Sequence, residues 1–284
     1  MNVISILQQN SAVFYGLIFF VSLAFGSFLN VVIYRLPRMM EQEWHSQCRE
    51  LLTLPAAAAD KITLAYPASA CPQCGHKIRF WENIPVLSYL LLKGRCSNCH
   101  TRISLQYPLV EAFTAALSMV VAWKFGVSLQ TVLGLVLTWS LIALTMIDFH
   151  KQLLPDTITL PLLWLGILAN IFEVFTPLES SVIGAMAGYL ALWGVYHFFK
   201  LLTGKEGMGY GDFKLLGALG AWLGWKVIVL IILLSSLVGA VIGILMIVVA
   251  RHDKNIPIPF GPYLAVAGWI TLIWGDVMIR AWLG

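Results

Sequence analysis

Long uncharged runs separated by short polar stretches make up most of this chain. Ala12–Tyr34 carries no charge over 23 residues and Val227–Ala250 none over 24. Each exceeds the roughly 20 residues an α-helix needs to cross about 30 Å of hydrocarbon. Val127–Ile147, Thr157–Phe175 and Val182–Phe199 are nearly as clear. Three further segments are weaker: Pro108–Trp123 carries Glu111, Phe213–Gly224 is short, and Ile256–Trp282 contains prolines, Asp276 and Arg280. The pattern predicts an all-α polytopic membrane protein with about eight transmembrane helices. It divides into a first helix over 1–34, a polar segment over 35–106 and a membrane helical bundle over 107–284.

Composition agrees with that reading: 59% of residues are hydrophobic and 11% charged, against roughly 25% charged in soluble domains. The first ten residues hold no Lys or Arg, and the run at 12–34 is too long for the apolar core of a signal peptide. The first span is therefore expected to be retained. With eight spans and the N-terminus outside, 15 of the 18 Lys and Arg fall in loops on one face: 35–106, 148–156, 200–214 and 251–255. The excess of positive charge in cytoplasmic loops then puts those loops inside and the N-terminus in the periplasm. Orientation accounts for the basic balance, so no nucleic-acid partner is needed.

The segment 35–106 carries all five cysteines. Cys71-Pro-Gln-Cys74 and Cys96-Ser-Asn-Cys99 are two Cys-x2-Cys knuckles with the spacing of four-cysteine zinc sites. A loop of this size has little core of its own, so a structural zinc ion would supply folding energy. Disulfides are the alternative, and a reducing cytoplasm argues against them. Cys48 is left over, and His76 and His100 neighbour ligand positions. Within the same segment Ile84–Leu92 is apolar but too short to span, which suggests an interfacial or packed piece.

Two aspartates stand at the edges of apolar runs. Asp148 closes Val127–Ile147, and Asp212 ends the turn Gly207-Met-Gly-Tyr-Gly-Asp212. An acid at such a depth is costly when unpaired and marks a functional site by default. Glycines beside Asp212 let another backbone approach closely, and two adjacent carboxyls that share one proton can activate water against a peptide bond. Other acids have blander readings. Asp156, after Pro155, reads as a helix cap, and Asp148 alone could cap or pair with Lys151. Glu111 lies near the start of its span, where structural roles are cheap, and Asp276 and Arg280 are spaced to pair. Lys214 either offsets charge near Asp212 or faces lipid headgroups. Gly184 and Gly188, and Gly217, Gly220 and Gly224, suit close helix packing.

These residues carry a resemblance. Phe25-Gly-Ser-Phe-Leu-Asn-Val-Val-Ile-Tyr-Arg-Leu-Pro37, the two knuckles, Tyr107-Pro-Leu-Val-Glu111, Asp148 with Leu154-Pro155-Asp156, and Gly207–Lys214 together resemble the type IV prepilin peptidases. The resemblance implies that Asp148 and Asp212 are catalytic aspartates and that the enzyme sits in the bacterial inner membrane. The substrates would be prepilins and type II secretion pseudopilins, cut on the cytoplasmic side behind a basic leader. It also implies N-methylation of the new N-terminus with S-adenosylmethionine, in association with the cysteine-bearing loop. No Rossmann-type glycine fingerprint accompanies that second activity. Asp156, Glu111 or Glu206 could offset the basic loops for a basic leader. A proton- or cation-coupled transporter and a zinc-bearing scaffold without catalysis are the competing classes, although no inverted repeat favours transport.

Overall fold

The computed structural model describes residues 3–55, 62–205, 207–248 and 259–283. Its contacts divide the chain into two compact units, Met1–Val127 and Ser128–Gly284.

The first unit contains α1 (Val3–Gln9), α2 (Ser11–Leu51), α3 (Leu87–Leu91) and α4 (Gln106–Phe125). Asn10 opens α2, its side chain accepting the Val13 N–H at 3.3 Å. The helix expected to end at Tyr34 continues for 41 residues, through Pro37 to Leu51. Proline inside a helix loses one hydrogen bond, but the Met, Glu, Gln and Arg residues that follow are strong helix formers. At 1.5 Å per residue α2 is about 60 Å long, twice the hydrocarbon thickness. Arg35, counted from the sequence among the basic residues of the 35–106 loop, is buried. Its guanidinium donates to the carbonyls of Thr63 (3.0 Å), Leu64 (3.3 Å) and Pro67 (2.6 Å), pinning that loop to the helix.

Helix α4, expected with the bundle over 107–284, falls in the first unit and packs antiparallel on α2. Gly26 makes the approach possible, because a Cβ there would lie 2.7 Å from the Glu111 Cα. One turn further along each helix, the Asn30 Nδ2 donates to the Tyr107 carbonyl at 3.0 Å. Small residues at such a crossing are the usual route to tight packing between membrane helices.

The second unit comprises α5 (Leu129–Lys151), α6 (Asp156–Ile171), α7 (Leu178–Thr203), α8 (Tyr210–Leu223), α9 (Ile228–Val248) and α10 (Gly261–Leu283). Among the described residues six helices are long and apolar enough to cross a membrane: α2, α4, α5, α7, α9 and α10. The other two predicted spans, α6 and α8, are helices of 16 and 14 residues. Helix α8 is the hub of its unit, with Phe213, Leu215, Leu216, Ala218, Leu219, Ala221 and Trp222 fully buried. A Cβ on Gly184 or Gly188 would meet the backbone of Gly220 or Leu216, so α7 and α8 touch main chain to main chain.

A helix of 14 residues is only about 21 Å long, so its last carbonyls end where water cannot reach them. Side chains take over. Asn170 donates to the carbonyls of Ala221 (2.9 Å) and Trp222 (3.0 Å), and its Oδ1 accepts from Phe175 (3.0 Å) and Thr176 (3.2 Å). Ser181 Oγ also donates to Ala221 O. The Trp222 indole N–H reaches Leu162 O at 2.7 Å, over a cleft left by Gly166.

Candidate active site and metal centre

Asp148 stands in the last turn of α5, which Gln152 terminates in the left-handed region with φ of 53°. The buried Asp148 carboxylate does not cap its own helix. Its Oδ2 accepts the backbone N–H of Gly261, the first residue of α10, at 3.1 Å. Asp212 lies in the first turn of α8, where an acid is favoured by the helix dipole. Its backbone N–H donates to Gly209 O at 3.2 Å. Leu154 fits against both helix starts, since a Cβ on Gly211 would lie 2.7 Å and one on Gly261 3.1 Å from its side chain. Glycine is thus required twice where α8 and α10 begin beside the Leu154-Pro155 turn. This packing brings the two predicted aspartates together, close enough for the Asp148 charge to act on Asp212.

Asp212 Oδ1 is buried without a hydrogen-bond partner. Buried acceptors are nearly always satisfied, and an exception usually marks a catalytic or ligand-binding atom. The neighbouring polar residues depart from expectation. Asp156 makes no helix-cap hydrogen bond. Both its carboxylate oxygens accept from Lys214 Nζ, at 2.7 Å each, which joins α6 to α8. Lys214 is thereby occupied by Asp156. Arg280 Nε donates to the main-chain carbonyl of Asp276 at 3.1 Å. Glu206 and the loop 251–255 lie outside the described residues.

In the first unit the two knuckles are built alike. Cys71 N–H donates to His76 O (2.9 Å) and Gly75 N–H to Cys71 O (2.9 Å); Cys96 N–H donates to Thr101 O (2.9 Å) and His100 N–H to Cys96 O (3.1 Å). Gly75 and His100 hold the equivalent left-handed position, with φ of 69° and 56°. All five cysteines are free thiols. The sulfurs of Cys71, Cys74, Cys96 and Cys99 lie within 4.8 Å of one another, with Cys71–Cys99 at 3.7 Å and Cys74–Cys96 at 4.0 Å. Tetrahedral zinc with bonds of about 2.3 Å requires sulfur–sulfur edges of about 3.8 Å. This donor set could therefore hold a metal ion. Thr101 draws the Cys99 thiol down to about 6, toward the thiolate that binds metal.

His76 is not a fifth donor to the cluster. It sits 3.2 Å from Glu82 and 3.3 Å from Ser97, so it ties the first knuckle to the second. The Arg79 N–H, with help from Ser97 and His76, holds the Glu82 carboxyl at about 2. Sequence reasoning missed this brace, because Glu82 belongs to no recognisable metal or catalytic spacing. Glu111, read from the sequence as structural, has a partner that local sequence could not show, the Val86 N–H at 2.7 Å and 25 residues away.

Both units match known families. Residues 20–125 match the bacterial peptidase A24 N-terminal domain, and residues 135–244 the type IV leader peptidase family. A Pseudomonas putida protein is 55% identical over 276 residues, covering 97% of this chain and 96% of its own. A Stutzerimonas stutzeri protein is 54% identical over all 284 residues and 98% of its length. One from Legionella pneumophila is 44% identical over 93% of this chain and 92% of its own. All three carry the name prepilin leader peptidase/N-methyltransferase. No solved structure matches. Identity of this extent, across the segments that hold both the aspartates and the cysteines, leaves one conclusion: the chain belongs to the type IV leader peptidase family.

Proposed function

We propose that this protein removes the leader peptide from type IV prepilins and type II secretion pseudopilins and then N-methylates the new N-terminus. The observation that carries the peptidase half is the meeting of Asp148 and Asp212 beside two glycine helix starts, with Asp212 Oδ1 left unpartnered. Two carboxyls whose charges act on each other cannot both ionise cheaply, so the pair works with one member protonated. The ionised member takes a proton from water as the oxygen attacks the scissile carbonyl carbon. The protonated member donates to the carbonyl oxygen, and the departing amine then receives a proton. The space at Gly211 and Gly261 is filled by Leu154, whereas a Cβ at Gly209 would meet nothing nearer than Asp212 Oδ2 at 3.7 Å, which leaves space beside the pair for an extended backbone.

Prepilin substrates present a basic leader followed by an apolar helix. That helix can lie in the bilayer of the inner membrane with the cleavage junction at its cytoplasmic face, the side that the positive-inside rule favours for the basic loops beside the aspartates and the cysteines. Cys71, Cys74, Cys96 and Cys99 hold a structural zinc ion that folds the segment between α2 and α4. The methyl-transfer half requires an electrophilic methyl group, which S-adenosylmethionine supplies when bound. This chain's contribution is in the first unit, where buried acceptors on α2 and α4 suit a cationic, amine-bearing group.

Mass spectrometry of a prepilin co-expressed with the protein tests the whole reading. A chain shortened by the leader and heavier by one methyl group is expected. An uncut prepilin contradicts the peptidase half, and a cut but unmethylated pilin contradicts the transferase half.

A further inference from the structure

The first unit holds a buried carboxyl group and a buried amide oxygen that, among the described residues, no basic side chain answers. Glu111 is 8% exposed within α4. Its Oε2 accepts the Val86 N–H at 2.7 Å, and the Ser27 hydroxyl of α2 bonds the same carboxylate. Among the described residues no ion pair joins Glu111 to a Lys, Arg or His. The nearest buried cation along α2, Arg35, spends its guanidinium on three loop carbonyls, and Arg38 lies over the Tyr34 ring at 3.8 Å.

Asn30, 6% exposed, sits three residues beyond Ser27 and so shares its face of α2. Its Nδ2 is taken by the Tyr107 carbonyl, which fixes the amide orientation and leaves Oδ1 buried with no donor. Tyr107 and Glu111 are likewise one turn apart on α4. The two acceptors therefore lie on adjoining turns of one antiparallel helix contact. Their complement needs a positive charge together with several N–H donors. A sulfonium has the charge but no donor, and a hydroxyl a donor but no charge; a primary ammonium has both. An intramembrane carboxylate without a partner cation is a functional site before it is a structural one.

We propose that Glu111 and Asn30 bind the primary ammonium of the mature pilin's new N-terminus, the group that receives the methyl. This rests on the methyl-transfer half of the function proposed above. The ammonium first gives one proton to the Glu111 carboxylate. The freed nitrogen lone pair forms the N–C bond while the bond from methyl carbon to donor sulfur breaks. Those bonding electrons stay on sulfur, so the products are a secondary ammonium and a neutral thioether. S-adenosylmethionine carries a primary ammonium of its own, and the experiment separates the two.

The whole protein in lipid nanodiscs is titrated with a synthetic mature-pilin peptide beginning with a free amine, with its N-acetylated counterpart, and with S-adenosylmethionine. The wild type is expected to bind the free amine at least about tenfold more tightly, the scale of a hydrogen bond to a charged group. Glu111→Gln keeps an oxygen for the Val86 N–H but not the charge, so it should erase that preference and leave S-adenosylmethionine affinity within about twofold. Zinc content and leader removal report whether the variant has folded. Equal binding of both peptides by the wild type overturns the proposal, and that comparison needs no variant. So does a Glu111→Gln protein that keeps its preference while losing S-adenosylmethionine, which would assign the site to the donor's own ammonium. A wild type that prefers the free amine yet adds no methyl to cut pilin contradicts the methyl-transfer reading and leaves the ammonium site standing.

Discussion

Lys214 bonds both carboxylate oxygens of Asp156 at 2.7 Å, although Asp212 lies only two residues before it on α8. The lysine is thus engaged by Asp156, a partner that neither sequence reading, offsetting Asp212 or facing headgroups, names. The pair is partly exposed, and such pairs contribute about 1 kcal/mol or less. Lys214→Gln is expected to cut prepilin within about threefold of the wild-type rate, with a small drop in unfolding temperature. A loss of cleavage as deep as that of an aspartate variant would show that Lys214 acts on the pair directly.

The contact between α7 and α8 is where a single methyl group should matter most. Gly220→Ala would drive its Cβ onto the Gly184 carbonyl, whereas Gly194 on the same α7 has nothing within 4 Å. Overpacking of this kind costs about 1–3 kcal/mol. Thermal unfolding in detergent should show Gly220→Ala clearly destabilised and Gly194→Ala unchanged or slightly stabilised, since alanine is the better helix former. Equal effects would mean that the two helices do not meet at main-chain distance.

Elemental analysis checks the metal centre. One zinc per chain is expected, lost in Cys71→Ser and in Cys96→Ser, with protease sensitivity appearing between α2 and α4. Cys48→Ser, an exposed position on α2, should retain the metal. Zinc content unchanged after either knuckle substitution would refute the four-sulfur site.

Glu82 gives the brace between the two cysteine knuckles a pH dependence. Its folded value of about 2 lies below the ordinary value of about 4.3. Its contribution is therefore present in full above about pH 4.3 and is lost as pH falls toward 2. Glu82→Gln should be less stable than wild type in urea at pH 6, and the gap should close as pH drops through that window. A gap that widens on acidification would contradict the brace between Arg79, Ser97 and His76.

Much of this was legible in the sequence. Uncharged runs marked α2, α5, α7 and α9, while α4 and α10, which carry Glu111 and Asp276 with Arg280, gave a weaker apolar signal. Small residues at 184, 188, 217 and 220 marked the closest packing, because membrane helices have few other ways to approach. The knuckle spacing identified the four sulfurs that converge. What stayed hidden depended on partners distant in sequence. Hydropathy cannot show α2 passing Pro37, since helix formers in a polar stretch carry no apolar signal. The partners of Asp156, Arg35 and Glu111 lie 58, up to 32 and 25 residues away. Asp156 read as a cap because local preference was the only guide, and tertiary pairing overrode it.

In the proposed function, leader removal depends on chemistry shared between Asp148 and Asp212. Leader removal from purified prepilin by the protein in nanodiscs, measured for Asp148→Asn and Asp212→Asn against wild type, tests this most directly. Both variants should keep their zinc and their helix content, yet lose cleavage by at least about 1,000-fold, since neither carboxyl can do the proton work of the other. Either variant cutting prepilin at close to the wild-type rate would contradict it.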